Sequence, residues 1–319
     1  MSPGSRRRRS AAARRRPLLY AAVASTVLLS GTAATTVYVK AQAHDATALV
    51  SQTSAAEGGS SVPSSPSASS SPPPAADLDA GLAEALDGLD GSFSVAVLDV
   101  SAGTRAAYAT DDSATYDTAS IVKVDVLAAL MLRAQDDGRS LTAQEKAYAV
   151  AMIQNSDNSA TTALWETIGG ADGLDAANER LGLTGTRGGD GPLWGLTQTT
   201  AADQLVLLQQ VFGTGDAPVL EADARAYVQG LMENVESDQR WGVSAAAGRG
   251  RDGVALKNGW LRRSTTELWD INSIGRVTVG GKRYLVAVVS AGNATKDAGI
   301  DLVESVAKAA VPVLSGGDA

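Results

Sequence analysis

The stretch "YDTASIVKVDVLAALMLRA", residues 116–134, sets a lysine inside a segment that has almost no polar face. Ile121, Val122, Val124, Val126, Leu127, Leu130 and Met131 predict a helix buried on nearly every side. An ammonium buried there without a partner costs several kcal/mol, or the amine gives up its proton. Ser120 stands three positions before Lys123, so the two share one helix face a turn apart. Either the lysine reaches a hidden carboxylate, or it is a base kept beside a hydroxyl. For an isolated Ser-x-x-Lys the first reading is the commoner one, because so short a motif arises often by chance.

Composition narrows the choice. The chain has 319 residues and a single histidine, His44, far upstream of any segment able to fold. A nucleophilic serine in this domain therefore has no imidazole, and its base must be lysine, a carboxylate or water. There is no cysteine, which excludes disulfides and thiolate metal sites; no metal site and no cofactor is implied. Residues 1–40 hold seven arginines, one lysine and no acid, whereas residues 41–319 hold 19 basic and 35 acidic residues. An acidic body of this kind argues against nucleic-acid binding.

The charge split follows the organisation of the chain. Residues 1–16 form a basic, cytoplasmic segment with two arginine clusters. Residues 17–39 then run 23 positions without a charge, enough to cross a bilayer, and the arginines before them direct the remainder outside. The expectation is a transmembrane signal anchor. The small-residue sequence "AQA" at 41–43 leaves open a cleaved signal peptide, with a secreted chain starting after Ala43. Residues 40–77 are a Ser/Pro/Ala-rich tether with nothing to build a core. Residues 78–315 make the folded domain, expected to be monomeric. Two strands joined by a tight turn follow a first helix, helices dominate 119–232, strands return at "GVALKNGWL", "TELWDINSIGRVTV" and "KRYLVAVVSAG", and a helix over 296–312 closes the domain. The predicted class is α+β: one antiparallel sheet assembled from distant parts of the chain, flanked by N- and C-terminal helices, with an all-helical region inserted.

Two further short motifs follow Ser120 and Lys123. Ser156, Asp157 and Asn158 stand just before a helix, where Asp and Asn also serve as ordinary caps. Lys257, Asn258 and Gly259 fall on a predicted strand, although Asn-Gly is also a turn signal. Ser-x-x-Lys, Ser-Asp-Asn and Lys-x-Gly in this order match the signature of penicillin-recognising serine enzymes. The chain resembles class A β-lactamases and their D-alanyl-D-alanine peptidase relatives across the whole predicted domain.

That resemblance implies roles. Ser120 is the nucleophile at a helix N-terminus and Lys123 its base. Ser156 passes a proton to the leaving nitrogen, Asn158 holds the substrate amide, and Lys257 attracts the substrate carboxylate. Backbone N–H groups of Ser120 and Trp260 form the oxyanion hole. Asn258 takes the position of a substrate-contacting Thr or Ser, and Gly259 lets the substrate approach the strand edge. The implied substrates are β-lactams or peptidoglycan stem peptides. The implied activities are β-lactam hydrolysis, D-alanyl-D-alanine peptidase or transpeptidase chemistry, and non-turnover binding of wall peptides or β-lactams.

The chain also departs from the family. The Ser120–Ser156 interval is short and lacks the segment that gives the cleft an aromatic wall. The loop "LTGTRGGDGPLWG" lacks the glutamate that positions the deacylating water, leaving Asp190 as its only carboxylate and candidate substitute. Arg262, Arg263 and Arg276 are the candidates for binding a substrate carboxylate.

Overall fold

The computed structural model describes Met1 and residues 75–214, 218–248 and 253–315. The expected basic segment, the anchor at 17–39 and almost all of the tether lie outside the described residues. No described helix is long and apolar enough to cross a membrane.

Helix α1 (Ala75–Ala85) leads into strand β1 (Ser92–Asp99) and strand β2 (Arg105–Ala109). Their turn is held by Asp99, whose Oδ1 accepts the Ser101 and Ala102 N–H groups. The chain then passes through the two-residue strand β3 (Tyr116–Asp117) and a helical block: α2 (Val122–Asp136), α3 (Ala143–Gln154), α4 (Asn158–Ile168) and α5 (Gly170–Leu181). A short strand β4 (Gln198–Thr199) pairs with β3 ahead of α6 (Ala201–Phe212) and α7 (Ala222–Glu233). Strands β5 (Ala255–Arg262), β6 (Trp269–Val279) and β7 (Lys282–Asn293) complete an antiparallel sheet of order β2-β1-β7-β6-β5, and α8 (Lys296–Ser315) ends the domain. The expected α+β architecture is present. The terminal strands β1 and β7 pair at the centre of the sheet, and β5 is left with one free edge.

Side-chain alternation along β7 explains why it reads as an unbroken apolar run. Tyr284, Val286 and Val288 face α1 and α8, while Leu285, Ala287 and Val289 face the helical block. Helix α8 meets the sheet through Val303, Val306, Ala307, Ala310 and Val311, a single stripe at helical spacing. α8 continues three residues past Pro312, because a proline in the last turn breaks only one backbone bond near a frayed end.

α2 runs through the middle of the helical block and is buried from Val122 to Leu130. Its Asp125 faces the Asn178 amide of α5, with Asp175 and Asp203 nearby; burial first, then these two acids, push its carboxyl up to about 8. A carboxyl with a folded value above its ordinary 3.8 binds its proton more tightly in the native state. Its contribution to stability is therefore complete at acid pH and is lost as pH rises from about 4 to about 8. Asp125→Asn is expected to be more stable than the natural chain above neutral pH and to remove this downward slope, as read by urea unfolding at pH 5 and pH 9. An unchanged slope would show that Asp125 is ionised in the fold.

Candidate active site

Ser120 sits in a 3-10 turn, Ala119–Ile121, that runs directly into α2, one step outside the α-helix itself. Ala119 has φ +47°, a left-handed conformation that costs a non-glycine residue of order 1–3 kcal/mol. Lys123, on the first turn of α2, is wholly buried. Its Nζ contacts Ser156 O at 2.7 Å, Asn158 Oδ1 at 2.8 Å and Ser156 Oγ at 3.1 Å. Lys123 thus makes its direct contacts with neutral groups and forms no ion pair among the described residues.

Ser156 is presented by a helix junction. α3 ends at Asn155, Ser156 adopts φ +56°, and Asp157 caps α4 by accepting the Ala160 N–H at 2.7 Å. Asp157 is thus the ordinary cap the sequence allows, and by capping it places Ser156 and Asn158 on either side of Lys123. From the opposite wall Lys257 of β5, also buried, donates to Ser156 Oγ at 3.0 Å and to Asn258 O at 2.9 Å. One hydroxyl therefore lies between two lysines.

Burial brings Lys123 down to about 7, against a partial restoring effect of the Asp157 carboxylate. Lys257 also lies well below its ordinary 10.5, through burial and then the nearby Lys123 charge. A neutral Lys123 amine has two N–H groups for Ser156 O and Asn158 Oδ1, and a lone pair for the Ser156 hydroxyl. A charged amine would donate to all three, so the contacts accommodate both forms. Among the described residues, Ser120 Oγ hydrogen-bonds to neither lysine, and the two buried amines meet instead at the Ser156 hydroxyl.

Gly259 and Asn258 both make close contacts within the fold. A methyl group on Gly259 would lie 2.7 Å from Thr118 O and 2.8 Å from Ser120 N. The close approach this glycine permits is to the turn that carries Ser120, and Trp260 beside it lines the same cleft as Ser120. Asn258 is fully buried and its amide is engaged within the fold. Its Nδ2 donates to Gln239 O and Trp241 O, and its Oδ1 accepts from Ser273 Oγ at 2.6 Å. Alternation along β5 turns it away from Lys257, and it ties the strand to the segment 239–241.

Asp190 is not at the site. Gly189 makes a turn so tight that a methyl there would strike Leu193 O, and the loop folds back with Asp190 exposed outside the cleft. Trp194 turns inward in its stead. Its ring centroid lies 5.0 Å from Lys123 Nζ, and its Nε1 donates to Thr162 Oγ1 at 3.2 Å. The lone tryptophan in a Gly/Pro loop was the available signal for this wall. Arg262 and Arg263 line the cleft, with Arg263 ion-paired to Asp117 just before the nucleophile turn. Arg276 stacks on Phe212 and pairs with Glu233, so it is not the carboxylate-binding group. The cleft encloses about 520 Å³, and Ser120, Asn158, Leu193, Trp194, Trp260 and Arg263 are among its lining residues.

Comparison with known proteins gives a consistent picture. A family model described as the β-lactamase enzyme family matches residues 146–314, more than half of the chain. No curated protein matches significantly. The fold is similar to that of TLA-3 extended-spectrum β-lactamase, at 16% identity over 74% of this chain and 98% of that one, TM-score 0.62. It is similar to a class A β-lactamase representative from Bacteroides cellulosilyticus, at 16% identity over 76% and 98%, TM-score 0.61. It is also similar to a mutant of PBP-A determined as an acyl-enzyme complex with penicillin G, at 19% identity over 74% and 97%, TM-score 0.59. With its family-model match, its sheet, its inserted helices and its three motifs brought into contact, the chain belongs to the β-lactamase enzyme family.

Proposed function

We propose that the domain is an exported serine acyl-transferase or hydrolase that is acylated by β-lactams at Ser120 and releases the acyl group slowly. The observation that carries this reading is the Ser156 hydroxyl held at 3.1 Å from Lys123 and 3.0 Å from Lys257, with Lys123 also held by Asn158, which lines the cleft together with Ser120. Ser120 Oγ attacks the lactam carbonyl carbon, and its proton passes to the neutral Lys123 amine through the Ser156 hydroxyl or by a small swing of the amine. The C–N bond then breaks, and the ring nitrogen takes a proton from Ser156 Oγ, which is resupplied by the lysines. The carbonyl oxygen carries the charge at the N–H groups of Ser120 and Trp260, each such donor worth about 2.7–4 kcal/mol in the transition state. Asn158 and Arg263 orient the substrate.

Slow release has its own support. Water attacking the ester needs a base, and the loop wall beside Lys123 offers an indole where a carboxylate would serve. This favours a peptidase- or transpeptidase-like enzyme of the wall over a fast β-lactamase. Export rests on the charge-free stretch 17–39 behind its arginines. Fluorescent penicillin added to fractionated cells should label the full-length chain in membranes, and Ser120→Ala should abolish the label. Equal labelling of the alanine variant would remove Ser120 from this role; a labelled soluble chain beginning near His44 would mean a cleaved leader.

A further inference from the structure

Outside the two-lysine relay, one buried polar side chain grips the nucleophile's turn from behind. Asn272 lies on β6 opposite Gly259 and is fully buried. Its Nδ2 donates to Asp117 O at 2.8 Å and to Thr118 O at 3.0 Å, and its Oδ1 accepts the Ser290 N–H at 3.0 Å. Asparagine is disfavoured in strands, and a buried amide is tolerated only when satisfied, so these three bonds account for its presence. The surroundings are shaped to allow them. Thr118 O is the atom that any side chain at position 259 would strike. The Ser290 N–H sits beside the irregularity between Trp269 and Ile271 in the β6–β7 ladder, as bulges beside active sites often do.

The two carbonyls held by Asn272 belong to the residues immediately before Ala119, whose φ of +47° is one that an alanine adopts only when its surroundings enforce it. Thr118 N–H is fixed as well, by Thr197 O at 2.8 Å. The geometry points to Asn272 as a positioning residue: by fixing the Asp117 and Thr118 carbonyls it forces Ala119 into the left-handed conformation and aims Ser120 into the cleft. The kinetic consequence rests on Ser120 being the nucleophile; the conformational consequence does not.

The test has two readouts. In thermal unfolding, Ala119→Gly should raise the midpoint of the natural chain by relieving the left-handed alanine. In an Asn272→Leu background the turn relaxes, so the same glycine should lower the midpoint through its greater unfolded-state entropy. In kinetics, Asn272→Leu should slow covalent labelling by fluorescent penicillin about 10²-fold, the loss expected for a misplaced reacting atom, with the non-covalent dissociation constant of the same penicillin unchanged. Asn272→Ser keeps one donor and should lie between the two, which preserves the test if the leucine variant does not fold. An equal glycine effect in both backgrounds, or labelling of Asn272→Leu at the natural rate, would overturn the proposal. If the natural chain takes no label, the nucleophile assignment fails alone, and the unfolding cycle still decides for or against the clamp.

Discussion

Replacing Lys123 with alanine is expected to slow acylation by benzylpenicillin about 10²–10⁴-fold, the usual loss when a general base is removed. Lys123 is buried, makes its hydrogen bonds to neutral groups, and is brought down to about 7 chiefly by burial. At its ordinary 10.5 the neutral amine would be about 10³-fold scarcer at pH 7, so the burial that lowers stability supplies the base. Only the neutral amine accepts a proton. The acylation rate of the natural chain should therefore rise about tenfold per pH unit below pH 7 and level off above it. Lys123→Ala should lose that inflection along with the rate. Stability moves in the same direction for this group: its folded value lies below its unfolded one, so stability increases as pH rises from about 7 toward 10.5. Stopped-flow labelling across pH 5–9 checks both points. A folded Lys123→Ala variant that acylates at the natural rate would make the lysine a packing residue.

The sequence displayed the fold through its periodicities. The stripe on α8, the unbroken apolar run of β7 and the buried α2 each had a pattern that only one environment satisfies. Ser120, Lys123, Ser156 and Lys257 were legible through three ordered motifs and the family resemblance they carry, strengthened by the lack of a usable histidine, and the structure brings Ser156 and both lysines into contact. Residues whose role depends on direction were not legible. Asn258 could be read as facing the cleft until strand alternation and its three partners placed it behind the sheet. Asp190 was the only carboxylate in its loop, but the fold-back at Gly189 decides which side chain points inward, and it selects Trp194. Asn272 was invisible, being one polar residue in a strand whose partners lie more than 150 positions earlier. The 3-10 turns at Ser237–Gln239 and Gly242–Ala247, which flank the Gln239 and Trp241 carbonyls that receive the Asn258 bonds, have no periodic signal at all.

The central claim is that Ser120 is readily acylated while the cleft, among the described residues, is lined by an indole and by no carboxylate that could activate the water needed to free it. Losing such a base costs about 10²–10⁴-fold in the step it serves, so the acyl-enzyme should accumulate. Asp190 is exposed and outside the cleft, so Asp190→Asn should leave the lifetime of the adduct unchanged. The direct measurement is the intact mass of the protein followed over time after a brief exposure to benzylpenicillin and removal of free drug. The account predicts a single adduct, heavier by the whole drug, that persists after the drug is gone and is absent from Ser120→Ala. Rapid consumption of benzylpenicillin with no adduct at any time, or no reaction at all, would contradict it.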